Sequence, residues 1–119
     1  MKTILAVIGV IMLSCSMVSA HAMAEKAEPK VGSTVSKAPT QVRIWFSEEI
    51  EPAFSKIQVY GPDGKEVDKG DTHVDAKEKK LLIVSLNAQL GVGVYRVHWQ
   101  VVSVDTHRTH DEFKFVVKP

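Results

Sequence analysis

Cysteine is almost missing from this chain of 119 residues: Cys15 is the only one, and none follows it. A domain built from the residues after it has no disulfide and rests on its hydrophobic core alone. Methionine is equally scarce there, with Met23 the only one beyond residue 20. A soft thiolate or thioether site for Cu(I) is thereby excluded, and any metal must be held by imidazole, carboxylate, amine or water. Neither sign of charge dominates: 15 Lys+Arg against 14 Asp+Glu give a formal +1. That balance argues against a nucleic-acid binder, a polybasic membrane-surface protein or a disordered acidic tail. Motifs of common enzymes are also missing: no Gly-x-Ser-x-Gly, no His-Glu-x-x-His, no phosphate-cradling glycine loop and no reactive thiol. The carboxylates Glu48, Glu49 and Glu51 have no second lobe to form a cleft with, so they do not read as a glycosidase pair.

The apolar residues are unevenly placed. Fourteen of the first 20 residues are apolar, and the run Ile4 to Leu13 follows the single positive charge of Lys2. Ten residues fall short of the roughly 20 that span a bilayer. The run ends in small residues, and Val18-Ser19-Ala20 fits a cleavage site before His21. Residues 1–20 therefore read as a secretory signal peptide and 21–119 as the exported domain. Two rival processing sites stay open: Ala22-Met23-Ala24, which would start the chain at Glu25, and a weak lipobox ending at Cys15.

In the exported part, strand signals dominate. Val42, Ile44 and Phe46 alternate with Gln41, Arg43 and Ser47, the period of a half-buried strand. Ile57 and Val59 repeat this over 55–60, before a Gly61-Pro62-Asp63-Gly64 turn. Residues 66–80 are polar and read as a loop or an edge strand, and Leu81 to Leu86 as a buried strand. A long strand is expected over 94–103 and a last one over 112–117, with Phe113, Phe115 and Val117 on one side. Sustained helical stripes, repeats and low-complexity segments are missing. This pattern predicts an all-β, immunoglobulin-like Greek-key sandwich without the disulfide of true immunoglobulin domains. Trp45 falls opposite Ile44 and Phe46, as a second packing surface or an exposed contact.

All five histidines, His21, His73, His98, His107 and His110, lie after the signal. Cleavage after Ala20 gives His21 a free α-amine beside its imidazole, and these two nitrogens can chelate one metal. Tetragonal nitrogen and oxygen donors suit Cu(II), and the amine must be deprotonated to bind. Asp105 and His107, two apart, would share a face if the strand stayed extended, adding an oxygen and a nitrogen. The bland readings stand beside this one: a histidine after a signal is commonly incidental, and an Asp-x-His in a turn is commonly a hydrogen-bonded cap. His98 reads as a solvated strand residue and His73 as part of a solvated loop. His110, on the outward parity of the last strand, is a candidate auxiliary ligand.

These pieces together resemble the CopC-type periplasmic copper-binding (copper-resistance) proteins. The resemblance runs from His21-Ala22 and Pro29 through Ala38-Pro39 and the strand Val42 to Glu48. It continues through Gly93-Val94-Tyr95-Arg96-Val97-His98-Trp99 to Val101-Val102-Ser103-Val104-Asp105-Thr106-His107 and Phe113-Lys114-Phe115. It implies a sandwich of about seven strands holding one Cu(II) per chain through His21, Asp105 and His107, with Glu48 as a further carboxylate of lower rank. It also implies a monomer in the periplasm with no membrane insertion once the signal is removed, partnered by an inner-membrane CopD-like copper transport protein. Family members with a methionine-rich Cu(I) site carry it where this chain has 61–75, and no methionine is there, so a Cu(II)-only member is expected. Asp111 stands where the family usually has glycine, which leaves the loop after His107 open. Two other functions remain: a copper mono-oxygenase using the same chelate, and a metal-free sandwich serving as an interaction module.

Overall fold

The computed structural model describes residues 22–119, so the expected signal peptide, Cys15 and His21 lie outside the described residues. Eight strands form two four-stranded sheets: β1 (Ala24–Glu28), β2 (Thr34–Val35), β3 (Gln41–Phe46), β4 (Lys56–Tyr60), β5 (His73–Val74), β6 (Leu81–Ser85), β7 (Gly93–Val102) and β8 (Arg108–Val117). One sheet has the order β1-β3-β6-β5 and the other β2-β8-β7-β4. Successive strands switch between sheets from β1 to β5, as a Greek-key sandwich requires. All pairings are antiparallel except that of β2 with β8. Beyond the five strands that the sequence suggests, β2 and β5 are only two residues long, β5 within the stretch read as a loop or an edge strand, and β1 is polar apart from its alanines, so none of the three carries a periodic signal.

The inward positions of β3, β4, β6, β7 and β8 make one core. Val42, Ile44, Val59, Leu82, Val84, Val97 and Phe115 have no exposed surface. Phe46 and Trp99 meet edge to face across the two sheets, with ring centroids 5.0 Å apart, and Tyr95 stacks on Phe115 of the neighbouring strand at 5.2 Å. The Tyr95 hydroxyl donates to the Gly91 carbonyl at 2.6 Å, which satisfies the one polar atom that this buried ring carries. Gly93 opens β7 at φ +138°, where an added Cβ would lie 2.4 Å from the Pro62 ring. Only glycine fits both the angle and the space.

Trp45 lies on the outer face of its sheet. The Lys26 ammonium sits 4.4 Å and the Arg43 guanidinium 5.0 Å from the ring centroid, so two cations cover it. Beside it in register stand Leu81 and, one row along, Ile83, both buried. This second apolar surface explains why β6 reads as a continuous hydrophobic run.

The polar stretch 66–80 protects strand edges. The backbone N–H of Val59 donates to Asp68 Oδ1 at 2.8 Å and that of Ile57 to Thr72 Oγ1 at 3.1 Å. Asp71 Oδ1 accepts from the Ser85 N–H at 2.8 Å at the border of the other sheet. Side-chain acceptors thus occupy edge donors that would otherwise be open to another chain.

Candidate metal site at one end of the sandwich

Strand β7 ends at Val102 and β8 begins at Arg108, with these two residues paired. The connection is a tight turn. The Thr106 N–H donates to the Ser103 carbonyl at 2.7 Å, and the Ser103 N–H to the His107 carbonyl at 3.0 Å. Thr106 has φ +73°. A turn closed by a residue in the left-handed region is the usual way to make a three-residue hairpin loop, and glycine is the residue normally found there. Asp105 and His107 are therefore not brought together by extended-strand parity, as their spacing suggested, but by the reversal of the chain between them.

The result is nevertheless a close pair: His107 Nδ1 lies 3.2 Å from Asp105 Oδ1. The hydroxyl of Ser103 donates to the same oxygen, and the His107 N–H reaches back to the Ser103 hydroxyl at 3.4 Å. Ser103 is fully buried, whereas Asp105 and His107 are exposed. The Ser103 hydrogen bond, followed by the hydrogen bond and charge of His107, holds the Asp105 carboxyl below its ordinary value of 3.8. Asp105 thus stays an anion under acid conditions in which an ordinary carboxylate is partly protonated. Ser103 was missed in the sequence because a serine two residues before an aspartate carries no distinctive spacing.

Two other segments lie at this end of the sandwich, 47–51 and the start of the described chain. The Val104 N–H donates to the Glu49 carbonyl at 3.0 Å, and the Glu51 N–H to the Val102 carbonyl at 2.8 Å, so 48–51 runs alongside 102–104. Glu48, half-buried, lies one residue from that contact. The Ala22 carbonyl accepts from Thr109 Oγ1 at 2.9 Å, and Ala22 is fully buried. Met23 is tied to Ser47 in both directions: its N–H donates to Ser47 Oγ and its carbonyl accepts from the Ser47 N–H, each at 2.9 Å. The start of the described chain is therefore pinned between the beginning of β8 and the end of β3.

The remaining histidines lie elsewhere. His73 Nδ1 contacts the Asp71 carbonyl at 2.8 Å. His98 Nε2 lies 3.2 Å from Glu112 Oε1 on the outer face of the second sheet. His110 belongs to that same face, opposite Gln100, rather than to the end of the sandwich. Asp111 does not interrupt β8, which runs unbroken from Arg108 to Val117. Among the described residues no three histidine or carboxylate side chains already converge on one point. The donors that do pair, a carboxylate and an imidazole, are of the class that binds Cu(II) and Zn(II).

Comparison with known proteins agrees with the fold. The family model "CopC domain" matches residues 24–118. Copper resistance protein C of Xanthomonas campestris pv. juglandis is 33% identical over 118 residues, covering 92% of each chain. Protein YobA of Escherichia coli K12 is 35% identical over 99 residues, 83% of this chain and 80% of that protein. Copper transport protein CutJ of Bacillus subtilis is 38% identical over 88 residues, 74% of this chain but only 16% of its own length. The crystal structure of CopC from Methylosinus trichosporium OB3b superposes with a TM-score of 0.76 at 30% identity, covering 83% of this chain and 95% of that one.

Proposed function

The chain belongs to the CopC domain family, and from that premise we propose that it is an exported carrier of one Cu(II), held by His21, Asp105 and His107. The copper is cargo. The α-amine and imidazole of His21 supply two nitrogens, His107 a third and Asp105 an oxygen, a donor set that suits a tetragonal Cu(II) ion. The observation that carries this reading is the bond from Thr109 to the Ala22 carbonyl. His21 is one peptide bond from that anchor, and Thr109 is two residues along the chain from His107.

The same bond favours cleavage after Ala20. A cut after Ala24 would remove Ala22, which is buried, and Met23, whose backbone is bonded to Ser47. Processing is then part of the chemistry, because before cleavage the His21 nitrogen is an amide and cannot join the chelate. Periplasmic location and a monomeric state accompany this reading, and the protein acts as a carrier and not as an enzyme. Support for exchange with a membrane copper transporter comes from CutJ, where the matching region is a small part of a protein named for copper transport.

The test is a competition titration of the protein that starts at His21, with Asp105→Ala and His107→Ala beside it. The expected result is one tightly bound Cu(II) in the parent and a loss of at least tenfold in affinity in each variant. Equal affinity in all three would refute the ligand set.

A further inference from the structure

We propose that His98, His110 and Glu112 form a second binding site for a divalent transition-metal ion, on the outer face of the β2-β8-β7-β4 sheet. This site uses neither the α-amine nor the Asp105–His107 turn, and it stands or falls independently of them.

The sheet register puts the three donors on one face. His98 on β7 is directly opposite Glu112 on β8, and Gln100 is opposite His110. Their inward-pointing neighbours Val97, Trp99, Val101 and Phe113 are buried, which fixes these four on the solvent side. His110 and Glu112 are two apart on one strand and so share a face. His98 and His110 are diagonal neighbours across the strand pair, a separation that long and aromatic side chains bridge. Two of the three donors already meet, with His98 Nε2 3.2 Å from Glu112 Oε1. The His98 ring is also braced, edge to face, by Tyr60 of β4 at 5.2 Å. Together with Lys56, Gln58 and Gln100 they border a shallow depression of about 410 Å³.

The three do not converge on one point as they stand. His110 is exposed, and turning its ring toward the His98–Glu112 pair requires only a rotamer change with no movement of the sheet. Two imidazoles and one carboxylate with water completing the shell is a donor set for Zn(II) and Cu(II), and an unsuitable one for Mg²⁺ or Ca²⁺. Lys56 in the adjacent row, and Arg96 with Lys114 in the row beyond His98, face the same solvent and oppose a cation. Their charge and the exposure of the site make it the weaker of the two, filling only when the metal is abundant.

The test uses the full exported protein carrying both His21→Ala and His107→Ala, so that the imidazoles at the end of the sandwich do not compete. Zn(II), which is diamagnetic, is titrated while the imidazole nitrogens are followed by NMR. The expected result is a joint, saturable shift of His98 and His110 at one equivalent, with His73 unchanged. His98→Gln, His110→Gln and Glu112→Gln each weaken that binding at least tenfold. All three changes lie on the solvent face, and an unaltered thermal transition without metal verifies the fold. Shifts that fail to saturate, that spread equally to His73, or that persist unchanged in His110→Gln overturn the proposal.

Discussion

The Asp105 carboxylate and the buried Ser103 hydroxyl are joined by a hydrogen bond inside the β7–β8 turn, and His107 Nδ1 shares the same carboxylate oxygen at 3.2 Å. Ser103 thus orients both residues of the pair, one through its side chain and the other through its backbone N–H.

Ser103→Ala should therefore weaken Cu(II) binding about tenfold, the usual scale for removing a group that orients a metal ligand. The Asp105 carboxyl should return toward its ordinary value at the same time. Copper competition and carboxyl NMR titration check the two effects, and an unchanged affinity would remove Ser103 from the site.

Stability should fall in acid. Three carboxyls are held below 3.8: Asp71 by the Ser85 hydroxyl and then its N–H, Asp75 by the N–H groups of Lys77 and Glu78, and Asp105 by the Ser103 hydroxyl. A carboxyl lowered in the folded state binds fewer protons there than in the unfolded chain. Its contribution is complete above about pH 4 and is lost as pH falls through the lower folded value. Glu66 runs the other way. A hydrogen bond to Asp68 raises it above 4.5, so its contribution is lost as pH rises through the raised value. Because these groups face solvent, the effects are modest: denaturation curves should show stability rising from pH 2 to about 4, then easing slightly. Asp71→Asn should flatten the acid limb, and Glu66→Gln should remove the later decline.

Gly93→Ala should destabilise the metal-free protein by about 3 kcal/mol or more. Backbone strain at positive φ and overpacking each cost on the order of 1–3 kcal/mol, and the new Cβ would lie 2.4 Å from Pro62. Urea unfolding measures it. A loss below about 0.5 kcal/mol, the range of an ordinary surface change, would show that the Pro62 turn yields.

Much of this architecture was legible because burial writes a period into the sequence. Val42, Ile44 and Phe46, and again Tyr95, Val97, Trp99 and Val101, are buried at alternate positions. The first half of β8 was not legible: Arg108 to Asp111 is polar, and only pairing with Trp99 to Val102 makes it strand. β1 was hidden for the same reason, since Ala27 is its only buried residue. At the site, spacing and the family resemblance pointed to Asp105 and His107, but their geometry depends on Thr106 at φ +73°, which no spacing rule conveys. His110 shows the same limit. Its nearness to His107 in sequence suggested a shared metal, whereas the register groups it with His98 and Glu112.

The most direct measurement is Cu(II) titration with EPR of the protein beginning at His21, beside the same protein with its α-amine acetylated. Acetylation leaves every side chain in place and turns the histidine's own α-amine into an amide. The account predicts one tightly bound Cu(II) with a nitrogen-rich tetragonal spectrum in the native form, and loss of that spectrum in the acetylated one. Equal binding and identical spectra in both would contradict it.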